Sequence, residues 1–256
     1  MSDKELLLAI KKSIDNQMAY TDFKDRKAIV IYSIKQVLWI LCLCLFSKYE
    51  RYTQQIIYFV CTTNQEKMMN KKGYHKLVCL GKSNCKLSAL KKKHSYFICY
   101  KFHERIGILI KAIKYVCKYR RQIKIISAGM EYFLLNDFIK RNNPIKICMA
   151  GHFDRYTTIL SYISYYSGYQ YELYQHGIIA SVQVPQKIYC TRFHVFDEIE
   201  MEKVKAFILN MDCIFEFDKF IPTFEWSIFS KKQNKKIICF ASQDKHTKIS
   251  IILIRE

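Results

Sequence analysis

Glycine and proline are scarce, with 7 Gly and 3 Pro among 256 residues. Flexible and extended linkers are built mainly from these residues and serine, so the chain has little material for a long hinge between domains. Half of the residues are hydrophobic and 15% are aromatic, which is enough for a packed core and argues against intrinsic disorder. At this length the chain forms one large domain or up to two ordinary ones.

Several common catalytic signatures are missing. The sequence contains no glycine-rich dinucleotide fingerprint, no phosphate-binding P-loop, no nucleophile elbow and no HExxH zinc helix. Basic and aromatic residues alternate between Lys91 and Arg105, but no nucleic-acid-binding module surrounds them. We interpret this segment as a strand flanked by solvated lysines, and we expect no nucleic-acid partner.

The eleven cysteines form no regular framework, because their number is odd and no CxxC pair occurs. Cys42 and Cys44 lie in an apolar run, and Cys79 and Cys85 are too widely spaced for a zinc knuckle. This pattern favours neither a disulfide scaffold nor a metal site. We predict reduced core cysteines in a cytoplasmic protein without a bound metal.

A long apolar run is also lacking. The most apolar stretch is Ala28–Phe46, but Lys35 and Gln36 interrupt it and leave only Val37–Phe46 unbroken. A membrane-spanning helix needs about 20 apolar residues, so we predict a helix that is not membrane-spanning. It is either buried against the domain or peripheral at a membrane surface, and the flanking Lys and Arg residues keep the second option open. The polar Met1–Asp25 segment is not a signal peptide.

Positive charge is abundant, with a formal net charge of +20. Such a charge attracts anionic lipid headgroups, phosphorylated small molecules and other polyanions. Lysine is scattered through every segment, however, so a compositional bias is the simpler explanation. The net charge alone therefore does not identify a binding partner.

From residue 56 onward, candidate strands alternate with candidate helices. This alternation predicts a Rossmann-like α/β fold, with a mostly parallel sheet and helices on both faces. The strand candidates are Ile56–Cys61, Lys76–Leu80, Ser95–Tyr100, Ile123–Ile126, Ile145–Ala150, Tyr169–Tyr174 and Ile188–Phe196, and the helix candidates are Glu104–Tyr119, Tyr132–Lys140, Tyr156–Tyr166 and Met201–Leu209. We expect Ile145–Ala150 and Tyr169–Tyr174 to be neighbouring central strands.

The pattern also divides the chain into three parts. Residues 1–55 are expected to form a helical segment packed on the following domain, and residues 56–230 the Rossmann-like domain. We interpret Ile214–Phe220, Pro222 and the basic loop Lys231–Lys236 as the exit from that domain. Lys236–Ala241 is an apolar run with little chain after it, so we predict that residues 231–256 begin a second, incomplete α/β domain.

Polar residues gather where the two central strands end. Because ligands of open α/β sheets bind beyond the carboxyl ends of the strands, and neighbouring parallel strands end at the same edge, these residues are expected to converge. They are His152, Asp154 and Arg155 after the first strand, and Gln175, His176 and Gly177 after the second.

The segments AGHFDRYTTIL (Ala150–Leu160) and YQHGIIA (Tyr174–Ala180) resemble bacterial glycosyltransferases of surface polysaccharide assembly. These enzymes make capsule, O-antigen and lipooligosaccharide, and they have a two-domain GT-B architecture. The resemblance covers roughly residues 56–243. It implies that the Rossmann-like domain is the amino-terminal half, which receives the acceptor, and that a second domain binds the nucleotide-activated donor. A full second domain would need about 100 further residues, so the chain is expected to be truncated.

The resemblance implies transfer of a sugar from a nucleotide sugar to a polysaccharide or a lipid-linked glycan, with no other cofactor. His176 suits the role of base because the ordinary histidine pKa is about 6.5. Asp154 either orients a histidine or acts as the base itself. Arg155 suits bidentate binding of a phosphate or carboxylate, and Gly177 permits close approach of the backbone to a ligand. Whether transfer inverts or retains configuration stays open.

Several of these residues also have a structural interpretation. Asp154 is a favourable N-cap for the helix that begins at Tyr156, and Arg155 then becomes its surface partner. His176 is otherwise a hydrogen-bonded structural histidine. His152 and Gln175 are candidates for substrate contact only, and Glu198 is explained by its position at a helix start. The alternative function is therefore a non-catalytic basic α/β module, or a truncated relic, that docks on an anionic membrane or a partner protein.

Overall fold

The structure is a computed structural model that describes residues 26–46, 54–74, 76–80, 95–96, 100–119, 126–151, 155–177, 187–219, 237–239 and 251–253. Its main feature is a seven-stranded, all-parallel sheet in the order β3-β2-β1-β4-β5-β6-β7. The strands are β1 (Ile56–Val60), β2 (Leu77–Cys79), β3 (Ser95–Tyr96), β4 (Lys146–Ala150), β5 (Gln170–Tyr174), β6 (Arg192–Val195) and β7 (Ile214–Phe217). The predicted Rossmann-like α/β class is confirmed.

One described helix precedes β1, and the others lie in crossovers between strands. The helices are α1 (Arg26–Phe46), α2 (Thr63–Lys71), α3 (Phe102–Tyr119), α4 (Ile126–Asn142), α5 (Arg155–Ser167) and α6 (Glu198–Lys205). The predicted pairing of the central strands is confirmed, because β4 and β5 are parallel neighbours in register from Lys146–Gln170 to Ala150–Tyr174, with α5 between them in sequence. The strand order reverses between β1 and β4, which makes this position the topological switch point of the sheet.

The main core lies on one face of the sheet. Apolar side chains alternate along the strands toward it, including Phe59, Met149 and Phe193, and residues of α1, α3, α4, α5 and α6 pack in the same cluster. On the opposite face, Met68 and Met69 of α2 cover the part of the sheet around β1, β2 and β4. Among the described helices, α2 alone contributes to that second cluster.

Helix α1 packs against α3 and α4 and has two different sides. Its buried side carries Trp39, Ile40, Leu43 and Cys44. The opposite side carries a row of apolar residues at helical spacing that are about half-exposed, which we call the apolar stripe: Ile31, Ile34, Leu38 and Leu45. Among the described residues, no helix combines the length and the apolar character needed to cross a membrane.

Two local predictions need correction. The strand predicted at Ile123–Ile126 is wrong at its carboxyl end, because Ile126 already begins α4, and residues 123–125 lie outside the described part. Residues 128–130 are buried within this helix, so they do not form a turn. The segment Ile214–Phe220 is not simply an exit from the domain, since Ile214–Phe217 forms the edge strand β7 in register with β6.

The polar segment after β1 contains a helix that the apolar periodicity does not reveal. Thr62 and Gln65 form a capping box at the start of α2, with Gln65 N–H donating to the Thr62 hydroxyl at 3.2 Å. The T-x-x-Q spacing is the sequence signal for such a start. Asn143 terminates α4 in a left-handed conformation (φ 42°), and Pro144, which follows it, cannot continue the helix.

The chain divides into two compact units, Met1–Ile221 and Pro222–Glu256. In the second unit, β8 (Ile237–Cys239) pairs with β9 (Ile251–Leu253) in an antiparallel two-stranded sheet. The apolar run at Lys236–Ala241 therefore contains a strand, and its partner is the described strand that follows it in the chain.

Candidate active site at the carboxyl edge of β4 and β5

The ends of β4 and β5 are tied together at the edge where the candidate residues follow. Gly151 N–H donates to the carbonyl oxygen of Tyr174 at 3.2 Å, which extends the ladder one residue beyond β4. His152 and Asp154 lie outside the described residues, as does the side chain of Arg155, whose backbone begins α5. Their convergence on His176 stays a prediction, but the two loops do leave the sheet side by side.

His176 lies two residues beyond the last residue of β5. Its ring is half-buried, and its Nδ1 atom is shielded from solvent. Gly177 follows with an ordinary backbone φ, and a Cβ atom built on it would meet no other atom within 4 Å. The space beside Gly177 is therefore open, as an approaching ligand would require, and the glycine is not needed for an unusual turn.

Gln175 is a structural brace between β5, β6 and α6. Its backbone N–H donates to the carbonyl of His194 at 3.0 Å, and its Oε1 atom accepts from Phe196 N–H at 3.0 Å. Its amide nitrogen donates to the Gly177 carbonyl at 2.9 Å and to Glu200 Oε2 at 2.7 Å. Both amide N–H donors are thus used within the chain. This geometry gives Gln175 a positioning role beside His176, and the predicted direct contact with substrate stays untested.

Glu200 completes this brace, and we had not predicted it from the sequence. Its side chain is buried, and it accepts from Gln175 and from Lys203 Nζ, the latter at 2.7 Å. Asp197 caps α6 by accepting from Glu200 N–H at 2.7 Å. Glu198 is exposed in the first turn, as its interpretation as a helix-start carboxylate predicts. The available signal was the Asp197–Glu200 cap spacing.

In the turn after β1, on the other side of the switch point, a side chain of the chain itself binds two backbone amides. Gln65 is buried, and its Oε1 atom accepts from Cys61 N–H at 2.6 Å and from Thr62 N–H at 3.0 Å. In dinucleotide-binding folds the glycine-rich turn at this position leaves such amides open to a pyrophosphate. Here Gln65 occupies the amides of Cys61 and Thr62.

A network of charged residues crosses the sheet face opposite the main core. Glu172 on β5 is 7% exposed and lies 2.8 Å from Lys146 on β4, 3.7 Å from Arg192 and 3.7 Å from His194 on β6. Arg192 and His194 also approach Glu216 on β7, at 2.7 and 3.4 Å. We call Lys146, Glu172, Arg192, His194 and Glu216 the charged face.

Glu172 is the carboxylate that the largest number of basic residues in this network approach. Burial alone would raise its pKa, but His194 at 3.7 Å and Lys146 at 2.8 Å outweigh burial and lower the pKa to about 2. The charged face was missed because Lys146, Glu172, Arg192 and His194 lie inside strand candidates, and Glu216 lies in the segment interpreted as the exit from the domain. The alternation of Arg192 and His194 in RFHV, and the single charged residues within KICMA, QYELY and IFEF, were the signal that could have found it.

On the same face of the sheet, aromatic rings extend from the charged face toward helix α2. Tyr174 stacks on His194 with ring centroids 4.1 Å apart, and Tyr74 meets Tyr174 edge-on and stacks on Tyr58 at 4.3 Å. Burial and the Tyr74 hydroxyl raise the pKa of Tyr174, so its phenol is neutral. This row of rings supports the sheet directly beneath the candidate site.

Within the described part of the chain, no cluster of three His, Cys, Asp or Glu side chains has the arrangement of a metal site. Comparison with known proteins gives no guide to the reaction either: no protein-family model, no curated protein and no solved structure matches the chain. The site must be interpreted from its own residues.

Proposed function

We propose that the chain is a glycosyltransferase, or the acceptor-binding domain of one, which transfers a sugar from a nucleotide-activated donor to a surface glycan or its lipid-linked precursor. The observation that carries the proposal is the parallel register of β4 and β5 next to the switch point. It supports the convergence of the loop after β4, with His152, Asp154 and Arg155, on His176 after β5.

The chemistry follows from these residue types. His176 takes the proton of the acceptor hydroxyl as the new glycosidic bond forms, and Asp154 orients it or shares that role. Arg155 offsets the negative charge on the departing phosphate. Gln175 and Glu200 hold the backbone at His176 in place through the hydrogen bonds described above, and Gly177 leaves room for the acceptor.

The experiment is nucleotide release from a panel of uridine, guanosine and cytidine nucleotide sugars in the presence of glycan acceptors. His176→Ala should lower turnover by about 10²–10⁴-fold, the usual effect of removing a general base. Circular dichroism and thermal unfolding must show that the variant remains folded. Unchanged turnover in folded His176→Ala would remove this residue from the mechanism, and no turnover by the wild-type chain with any donor would count against catalysis by the chain itself.

Gly177→Ala provides a matched variant at the adjacent position. Because a Cβ atom there meets no neighbour and the backbone φ is ordinary, stability should stay unchanged. An acceptor that packs against this glycine would nevertheless be displaced, which should raise KM more than it lowers kcat. Equal activity of Gly177→Ala and wild type would argue against acceptor contact at this residue.

A second candidate function is docking on an anionic membrane surface, with or without catalysis. The apolar stripe of α1 favours it, since Ile31, Ile34, Leu38 and Leu45 are about half-exposed on a helix that begins with Arg26 and Lys27. Apolar side chains that insert at the headgroup level, together with nearby positive charge, are typical of peripheral helices.

Vesicle co-sedimentation tests this function. The protein should bind vesicles that contain phosphatidylserine more strongly than vesicles of pure phosphatidylcholine, and Leu38→Glu should weaken that binding without loss of stability. Ile113→Glu is the matched control, because Ile113 on α3 is similarly exposed outside the stripe. Equal binding by Leu38→Glu and Ile113→Glu would exclude the stripe as the docking element.

A further inference from the structure

Two cysteines lie next to each other where β6 and β7 begin. Cys190 is two residues before β6 and Cys213 is one residue before β7, and these strands are parallel neighbours in a register that pairs Arg192 with Ile214. Ile214 N–H donates to the Thr191 carbonyl at 3.0 Å, so the two segments are already joined at the cysteines. Extending this register by one residue places Cys213 opposite Thr191, the residue that follows Cys190.

The two thiols differ in their surroundings. Cys190 is 1% exposed, and its Sγ atom lies 2.8 Å from the Arg192 carbonyl oxygen and 3.4 Å from that of Tyr171. Cys213 is only partly buried. The neighbouring Cys190 lowers the pKa of the Cys213 thiol, whereas burial raises the pKa of Cys190. Cys213 is therefore the accessible, more acidic thiol, and Cys190 is the protected one beside it.

We propose that Cys190 and Cys213 are a redox-active thiol pair, which a low-molecular-weight disulfide such as oxidised glutathione converts into an intramolecular disulfide between the starts of β6 and β7. The Cys213 thiolate attacks a sulfur of the glutathione disulfide, forming a mixed disulfide and releasing one glutathione thiolate. Cys190 then attacks the Cys213 sulfur, its proton passes to solvent, and the second glutathione leaves. Two protein thiols are oxidised and one glutathione disulfide is reduced to two thiols.

The crossover between the two cysteines gives this reaction a structural consequence. It contains α6, whose Glu200 holds Gln175 beside His176. A disulfide joins both ends of that crossover and fixes the edge strand β7 to β6. Oxidation of the pair therefore constrains the crossover that holds Gln175 beside His176, and it leaves the reacting groups of the candidate site unchanged.

Peptide mapping tests the proposal on the wild-type chain. The protein is incubated with oxidised glutathione, its remaining thiols are blocked with N-ethylmaleimide before unfolding, and it is digested with trypsin without reduction. The expected product is a disulfide-linked pair of peptides, Ile188–Arg192 and Ala206–Lys219, each of which contains one cysteine. Dithiothreitol should convert this pair back into the two separate peptides.

Cys117 on α3 is the internal control, because it is exposed and lies in its own peptide, Tyr115–Lys118. It should be recovered as a mixed disulfide with glutathione in the same digest. Recovery of Cys213 as a free thiol, or only as a stable mixed disulfide like Cys117, would overturn the proposal. Cys190→Ala provides an independent measurement, since it should convert the linked product into a mixed disulfide at Cys213.

Discussion

Glu172→Gln removes a carboxylate of the charged face. Three basic side chains lie near this carboxylate: Lys146, Arg192 and His194. The ordinary pKa of 4.5 falls to about 2 in the folded chain, and at about 1.4 kcal/mol per pH unit this difference corresponds to about 3 kcal/mol. Solvent reaches Lys146 and Arg192, with side chains 26% and 37% exposed, and weakens their attraction. We therefore expect Glu172→Gln to lower the free energy of unfolding by about 2 kcal/mol at pH 7.

The pH dependence has a definite sign. Because the pKa is lower in the folded than in the unfolded chain, the stabilisation is complete above about pH 4.5 and is lost as the pH falls toward 2. The difference between wild type and Glu172→Gln should therefore be constant from pH 7 to pH 5 and then shrink. Urea unfolding followed by circular dichroism across this range measures both quantities.

Glu202→Gln is the matched control for the loss of one negative charge. Glu202 pairs with Lys205 at 2.6 Å, but their side chains are 65% and 45% exposed, so its removal should cost less than about 0.5 kcal/mol. Equal stability of Glu172→Gln and Glu202→Gln at pH 7 would refute the electrostatic reasoning. A difference from wild type that persists unchanged on acidification would refute it as well.

Two further predictions concern helix ends and are measured by urea unfolding. Thr62→Ala should lower the free energy of unfolding by about 1 kcal/mol because the N-cap of α2 is lost. Gln65→Ala should cost more, since it leaves the Cys61 and Thr62 amides without their acceptor. Asn143→Ala should be about 1 kcal/mol less stable than Asn143→Gly, because only alanine is strained at φ 42°; equal stabilities of these two variants would contradict that reasoning.

The parts of the fold that were predictable from sequence are those with a simple burial pattern. The runs at β4 and β5 are apolar and bounded by glycine, and α3 carries apolar residues at helical spacing, so both types of element were identified correctly. Ile126 was misassigned to a strand because a short apolar segment fits a buried strand and a buried helix start equally well. Helix α2 was missed because it buries chiefly Gln65, Met68 and Met69, which gives it little apolar periodicity.

The position of the candidate site was predictable from the sequence, but the interactions that hold it in place were not. The position of His176 and Gly177 after a central strand follows from local sequence and topology. The contact of Gln175 with Glu200 joins residues 25 apart, and the charged face joins four strands. Neither can be derived from one segment alone, because the register between strands decides which polar groups meet.

The pairing of β1 with β4 also affects how the chain folds. Ile56 is opposite Lys146, so the centre of the sheet joins residues that are 90 positions apart in the chain. Contacts this distant in sequence slow folding, because closing a long loop costs conformational entropy before the contact is made. During synthesis, one edge of β1 stays unpaired until β4 has been made. An unpaired apolar edge readily pairs with a strand of another chain. Expression at lower temperature, or with chaperones present, should raise the yield of folded protein.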